Sequence, residues 1–232
     1  MQHSFIKNQG SVGSCVAHSV AEVLEILEEN NLKYSTAWVY GYRPVGYYQG
    51  SGMMTSEALK TVKNVGSLQY ANLPGNFEIP QAKKVVDEHL QEYKDKAKDD
   101  KIVSYARLRS VQEIKEAIFT TGKPVIVCIK CDSLKLDENY VAKVPTKFIG
   151  GHATVCYGWN ETGLLIQNSW GQKWGDHGCF ILPYDYPITE SWVIAKDKNV
   201  TVKPSAFALR EFLVNLGRII VKVIKGLFKR KQ

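Results

Sequence analysis

The period of the apolar residues changes near residue 122, and this change limits the folds that are open to the chain. Before it, apolar residues recur at helical spacing and predict helices over residues 15–29, 56–65, 80–93 and 111–121. After it, short apolar runs between glycines predict strands over residues 125–130, 152–159, 163–167 and 178–182. This order indicates an α+β protein of two lobes, a helical lobe over about residues 1–105 and a β-barrel-like lobe over 106–200.

Smaller features complete this assignment. Thr55 or Ser56 is expected to cap the second helix, and Gly66 is expected to end it. The aromatic-rich stretch 40–48 predicts a loop, in which the rings pack against the protein rather than stack on bases. The mixed charges of residues 94–101 predict a solvated segment.

The formal charge of +7 is confined to the C-terminal segment. Residues 201–232 hold eight basic residues and one acid, so residues 1–200 are formally neutral. From Ser205 to Lys231, basic residues at helical spacing oppose a wide apolar face, which predicts an amphipathic helix. Such a helix suits an anionic membrane surface, and it equally suits docking on this domain or on a protein partner. The neutral body argues against a nucleic-acid partner.

The five cysteines are odd in number and widely spaced, which argues against a disulfide framework. The first residues lack the charged and apolar regions of a signal peptide, and no stretch of 18 apolar residues occurs. We therefore expect a cytoplasmic protein, with attachment to the periphery of a membrane as the alternative.

Cys15 is the first candidate for chemistry, because it follows a glycine-serine loop at the predicted start of a helix. Unpaired N–H groups and the helix dipole there favour a thiolate. A thiolate nucleophile needs a base, and the base needs an orienting group. His152 opens one apolar strand and Asn168 ends the next, where it could face His152. Taken singly, a cysteine or a histidine in such a position is more often a core residue than a catalytic one.

Three blocks of the sequence resemble the papain-like cysteine peptidases. They are residues 9–17 (QGSVGSCVA), 151–153 (GHA) and 168–178 (NSWGQKWGDHG), in the order typical of that family. Cys15 precedes His152 by 137 residues and Asn168 by 153, close to the roughly 130–150 residues usual there. The resemblance covers about residues 5–197. It implies the two-lobed papain fold, in a member of the bacterial or phage-like kind that lacks a propeptide.

The resemblance implies a cysteine endopeptidase that forms an acyl-enzyme and needs neither a metal nor an organic cofactor. Cys15 would be the nucleophile, and His152 would pair with it and protonate the leaving amine. Asn168 would orient His152, and Trp170 would shield that pair from water. Gln9 would form the oxyanion hole together with the backbone N–H of Cys15.

The resemblance also places the substrate groove between the lobes. Gly50 and Gly52 belong to the glycine-rich segment that would pair with an extended substrate backbone. Met53, Met54 and Gly151 would shape the second subsite, where we expect a bulky apolar substrate side chain.

Three positions depart from the family pattern. Val12 stands in place of a disulfide cysteine, and Val16 in place of an aromatic residue. His18 replaces an apolar residue, and we expect it to pack or to form a hydrogen bond on the helix face. Only eight residues precede Gln9, so in place of an inhibitory propeptide we expect either an enzyme that is made active or control by a partner, by location or by redox state.

Two functions of other classes fit the same sequence. One is a catalytically silent papain-fold protein that only holds peptides, and the other is a membrane-active protein whose tail is the effector. A zinc protein is disfavoured, because a strand would direct Cys128 and Cys131 to opposite faces. Cys156 and Cys179 are expected in the core.

Overall fold

The computed structural model describes residues 5–28, 32–43, 51–131, 133–147 and 150–196. The α-helices within these ranges are α1 (Cys15–Glu28), α2 (Thr36–Gly41), α3 (Thr55–Asn64), α4 (Ile79–Glu88), α5 (Leu90–Ala97) and α6 (Val111–Thr121). A single 3-10 turn covers Tyr70–Asn72. The predicted C-terminal helix lies outside the described residues, and the division into segments 1–105, 106–200 and 201–232 stays a prediction.

The strands of the described residues form one antiparallel sheet. They are β1 (Ser104–Leu108), β2 (Val125–Cys131), β3 (Gly150–Trp159), β4 (Gly163–Gln167), β5 (Cys179–Pro183) and β6 (Ile188–Ala195). Their order across the sheet is β1-β6-β2-β3-β4-β5. The predicted α+β class is confirmed.

The two faces of the sheet carry two separate cores. Because side chains alternate along a strand, β2 directs Ile126 and Cys128 to one face and Val125, Val127 and Ile129 to the other. Helices α1 to α5 bury their apolar residues on the first face, and α6 covers the second. The sheet is therefore shared by both halves of the protein.

Helix α6 shows how local sequence defines an element. The side chain of Ser110 caps it by accepting the backbone N–H of Glu113 at 3.1 Å. Gly122 ends it at φ +66°, a left-handed conformation that glycine adopts without strain. The predicted bounds of this helix, 111–121, are confirmed.

Two sequence predictions about helix positions are wrong. The stretch 40–48 was expected to be a loop, but its first two residues belong to α2, which begins at Thr36 and runs to Gly41; residues 44–48 lie outside the described residues. All residues of α2 are buried, so the sequence shows no amphipathic period. The helix expected over 80–93 is broken at His89, whose φ of −120° and ψ of 21° interrupt it. Its second part, α5, continues to Ala97, and the charged side chains of residues 94–101 are exposed or half-buried, as predicted for that segment.

The expected cap of α3 is also wrong, because Met54 occupies the N-cap position and its side chain makes no capping bond. Strands β1 and β6 were not predicted from the sequence. β1 is an edge strand with mostly exposed side chains, so it lacks the apolar alternation that marks a half-buried strand. No helix of the described ranges is long and apolar enough to cross a membrane.

Candidate active site

The N-terminus of α1 meets the start of β3, and this junction brings the first two predicted residues together. Cys15 is the first residue of α1 and is partly exposed. Its thiol accepts a hydrogen bond from the backbone N–H of Ala153, the residue that follows His152 on β3. The thiol of Cys15 therefore lies against the backbone of β3 next to position 152, although 137 residues separate Cys15 from His152 in the chain.

His152 and Asn168 are joined directly. His152 Nε2 and Asn168 Oδ1 lie 2.7 Å apart. Asn168 Oδ1 also accepts the backbone N–H of Ser169 at 2.9 Å, which identifies that atom as the carbonyl oxygen of the amide. His152 must then donate through Nε2, so the lone pair of its neutral ring lies on Nδ1. The hydrogen-bond network thus determines which nitrogen can accept a proton.

Aromatic rings cover this pair. The ring of Trp170 lies 4.7 Å from that of His152, with 30° between their planes. Trp174 packs edge-on against Trp170, and Phe180 packs edge-on against Trp174. His152 and Asn168 are both buried. This cover reduces the access of water to the hydrogen bond, as expected for Trp170.

Gln9 is held in one orientation by Ser169 and Val12. Its backbone N–H donates to the Ser169 carbonyl at 2.8 Å, and its Oε1 accepts the Ser169 hydroxyl at 2.6 Å. Its Nε2 donates to the Val12 carbonyl at 2.8 Å. An amide nitrogen carries two hydrogens, so the second N–H of Gln9 is available to a ligand.

Burial opposes charge at both reactive groups. Burial raises the pKa of the Cys15 thiol, while the backbone N–H groups of Ala153, Val16 and Cys15 lower it. Burial also lowers the pKa of His152, which its hydrogen bond to Asn168 raises in part. The helix N-terminus acts in the predicted direction, but desolvation is the larger effect. Desolvation therefore favours the neutral form of each group, the thiol of Cys15 and the unprotonated imidazole of His152.

A second thiol lies close by but in different surroundings. Cys128 pairs with Ala153 across β2 and β3, and its sulfur lies 3.3 Å from the Thr55 hydroxyl. Thr55 also donates to Glu190 Oε1 at 2.6 Å. Burial and the Glu190 carboxylate raise the pKa of Cys128, which makes it a poor nucleophile. The sequence reasoning missed Thr55 and Glu190, because nothing in their local sequence connects them to the site.

The segment expected to bind substrate lies against residues 9–14, which precede Cys15 and are called the nucleophile loop here. A Cβ atom at Gly13 would lie 2.8 Å from Ser51 Cβ and 2.9 Å from Gly52 N, so the close approach requires glycine. Met53 is buried and Met54 is exposed. Gly50 lies outside the described residues.

Gly151 borders open space. It is exposed, and a Cβ atom there would meet no heavy atom of the described residues within 4 Å. This is the geometry expected of a small residue at the edge of a groove, but its role in a subsite stays a prediction.

His18 occupies the inner side of the site, one turn after Cys15. It is buried, and its Nδ1 lies 3.0 Å from the Ser14 carbonyl oxygen and 3.1 Å from the Ser14 hydroxyl. The expected hydrogen bond on the helix face is confirmed. Burial lowers the pKa of His18 to about 4, and the positive charge of Lys7 and of protonated His152 acts in the same direction.

The remaining cysteines are structural. Cys131 packs on the face of the sheet opposite to Cys128, as predicted, and Cys156 and Cys179 are buried. Among the residues that the structure describes, no group of three or more His, Cys, Asp and Glu side chains is arranged to hold a metal ion.

The buried His18 predicts a loss of stability in acid. An unfolded histidine has a pKa of about 6.5, so below that pH His18 is protonated in the unfolded chain. In the folded chain it stays neutral down to about pH 4. The free energy of unfolding should therefore fall as the pH drops from about 6.5 to 4, by about 3 kcal/mol from this group. His18→Phe should remove that part of the fall, measured by urea unfolding at several pH values.

The matched control is His89→Phe, at a half-exposed position between α4 and α5. Its acid dependence of unfolding should follow that of the wild type. Equal acid dependence in His18→Phe and the wild type would contradict the assignment.

Comparison with known proteins agrees with this geometry. Residues 2–195 match the family model of the papain family cysteine proteases. An uncharacterised peptidase C1-like protein of Acanthamoeba polyphaga mimivirus is 26% identical over 218 residues, which cover 81% of this chain and 68% of that protein.

Solved structures share the fold. Xylellain, a cysteine protease from Xylella fastidiosa, superposes with a TM-score of 0.72 at 24% identity, over 85% of each chain. The Carica candamarcensis cysteine protease CMS1MS2 superposes with a TM-score of 0.62 at 18% identity, over 84% of this chain and 94% of that one. With the family model matching most of its length, this chain belongs to the papain family of cysteine proteases.

Proposed function

We propose that the protein is an endopeptidase in which Cys15, His152 and Asn168 form the catalytic triad and Gln9 completes the oxyanion hole. One observation carries this assignment above the others. Asn168 Oδ1 accepts two N–H groups, one of them from His152 Nε2, so the basic lone pair of His152 lies on Nδ1. Ala153, the residue after His152, donates its backbone N–H to the Cys15 thiol.

The reaction then has two steps. In the first, Cys15 transfers its proton to His152 and its sulfur bonds to the scissile carbonyl carbon, which places a negative charge on the carbonyl oxygen. The Cys15 backbone N–H and the free N–H of Gln9 stabilise that charge. His152 returns the proton to the leaving amine as the C–N bond breaks.

In the second step, water hydrolyses the thioester. His152 takes a proton from the water, which adds to the acyl carbon, and the proton passes to the sulfur as the acid is released. Asn168 keeps the imidazole in one tautomer and orientation throughout, the part that a carboxylate plays in serine enzymes.

The rival functions make weaker use of the geometry. A silent peptide-binding protein would have no need for the tautomer of His152 or for the fixed amide of Gln9. A protein whose tail is the effector would leave the whole junction between α1 and β3 unexplained.

Covalent labelling separates these functions. A peptidyl epoxide that alkylates active thiols should label the wild type and Cys128→Ala but not Cys15→Ala, with the site confirmed by mass spectrometry. Cys15→Ala should also lose at least about 10⁴-fold in kcat on a fluorogenic peptide, since removal of a nucleophile removes the covalent pathway. A folded wild type that is neither labelled nor active would refute the proposal.

The substrate groove is proposed to run past Met53, Met54 and Gly151. Met54 is exposed, and Glu190 accepts a hydrogen bond from Thr55, the residue that follows Met54. We expect the second subsite to prefer a bulky apolar side chain. Among charged side chains it should accept Lys and Arg better than Glu, because of the Glu190 carboxylate.

A peptide library varied at that substrate position tests both expectations. Leu, Phe or Met should give the highest kcat/KM, and Arg should exceed Glu by about tenfold, a difference of about 1.4 kcal/mol. Glu190→Gln should reduce the ratio of Arg to Glu and leave the rate for Leu within about twofold. Best cleavage with a charged residue would contradict the apolar subsite.

The C-terminal segment is proposed as an anchor on an anionic membrane surface. Its support is the sequence pattern of residues 205–231, a basic face opposite a wide apolar face, attached to a formally neutral body. This attachment would place the peptidase at the periphery of a membrane.

Deletion of residues 205–232 tests the anchor. The full chain should co-sediment with vesicles that contain about 30% phosphatidylserine, and binding should weaken in high salt. The deletion should abolish binding while the peptidase rate is kept. Equal vesicle binding by both chains would exclude the anchor, and a tail-dependent dimer without vesicle binding would favour protein docking.

A further inference from the structure

One side chain from a distant part of the chain holds both ends of the nucleophile loop. Asn76 Nδ2 donates to the Gln9 backbone carbonyl at 2.5 Å, and Asn76 Oδ1 accepts the Ser14 hydroxyl at 3.2 Å. The amide of Asn76 thus bridges residues 9 and 14. Between these positions lies the segment that supplies the Gln9 and Cys15 donors.

Ser14 is in turn held by His18. The Ser14 carbonyl oxygen can only accept, so the Nδ1 atom of His18 at 3.0 Å must carry a hydrogen. The same Nδ1 lies 3.1 Å from the Ser14 hydroxyl, whose oxygen then accepts from it while its hydrogen points to Asn76.

The hydrogen bonds therefore run in one direction, from His18 through Ser14 and Asn76 to the Gln9 carbonyl. Each group in the chain donates to the next, and such chains polarise one another. His18, Ser14 and Gln9 are buried, so loss of one member leaves a buried polar group without its partner. A shift of any member would be transmitted to the peptide groups of Gln9 and Ser14.

Gln9 is the residue through which this chain of hydrogen bonds would act on the scissile carbonyl of the substrate. Ser169 holds its backbone N–H and its Oε1, and Val12 holds one hydrogen of its Nε2. Asn76 adds the contact on the backbone carbonyl of Gln9. The direction of the free Gln9 N–H therefore depends on contacts from two sides, Ser169 in the β half and Asn76 in the helical half.

We propose that Asn76 is a positioning residue, which acts with Ser14 and His18 to align the Gln9 and Cys15 N–H groups on the substrate oxyanion. The proposal rests on the proposed function, because it concerns the oxyanion hole of that reaction. The hydrogen bonds of Asn76 go to Gln9 and Ser14, and not to Cys15, His152 or Asn168. Asn76 should affect the developing negative charge and leave the reactivity of the Cys15 thiol unchanged.

Asn76→Asp is the most specific test. It keeps the size of the side chain and an acceptor for Ser14, but it replaces the N–H that Gln9 receives with an oxygen. kcat should fall about 10- to 100-fold, since a misplacement of about 1 Å can cost about 100-fold, and KM should stay within twofold. Binding of a peptide aldehyde, whose adduct places an oxygen in the oxyanion hole, should weaken by a similar factor.

Alkylation of Cys15 by iodoacetamide needs the thiolate but no oxyanion hole. Its rate and its pH profile should be the same in Asn76→Ala, which adds no charge near the thiol, and in the wild type, a separation that a general loss of structure would not produce. In Asn76→Asp the new carboxylate should shift the pH profile of alkylation upward. Asn139→Asp, the same chemical change at an exposed position, is the control and should change none of these quantities.

Ser14→Ala tests the same chain by removal of a single oxygen, and it serves if Asn76→Asp does not fold. In the double variant, kcat should fall by less than the product of the two single falls, because both substitutions interrupt the same chain of hydrogen bonds. Multiplicative losses, an unchanged kcat, or alkylation slowed in step with kcat in Asn76→Ala would each overturn the proposal. An inactive wild type would overturn the proposed function, whereas an active wild type with unaffected variants would overturn only the role of Asn76.

Discussion

The hydrogen bond between His152 and Asn168 is the interaction on which the proposed chemistry of this protein depends. It assigns the hydrogen of the imidazole to Nε2 and so gives Nδ1 its basic lone pair. The bond exists because Val155 pairs with Gln167, which places the residue after β4 opposite the start of β3. A slip of one residue would turn every side chain of β4 to the other face. The correct register of these two strands is therefore a condition for activity as well as for stability.

The shared sheet explains how reactive groups from distant segments meet. Cys15 lies on a helix of the first core, and His152 lies on β3, whose side chains enter both cores. Asn168 directly follows β4, whose apolar side chains belong to the second core. Gln9 crosses between the halves through its bonds to Ser169. Neither half contains a complete site. Their contact is therefore part of the active site, and a change in their packing would alter distances between reacting atoms without altering any catalytic residue.

What could be predicted from sequence follows from the range of the interactions involved. Helix α6 was predictable because its cap and its end are encoded within a few residues, at Ser110 and Gly122. Cys15, His152 and Asn168 were predictable because short motifs surround them. Helix α2 was not, since burial on all sides removes the amphipathic period. Asn76 and Glu190 act across 62 and 135 positions in the chain, and only the folded structure brings them to the site.

None of the five cysteines forms a disulfide in the part of the chain that the structure describes. A nucleophilic thiol has to be kept reduced, and in proteins held together by disulfides the reagents that protect such a thiol also weaken the scaffold. Here the two requirements do not conflict. No disulfide joins the residues that the structure describes. Strong reductants can therefore be used throughout preparation and assay, and Cys15 can be regenerated after oxidation to a sulfenic acid without any loss of the fold.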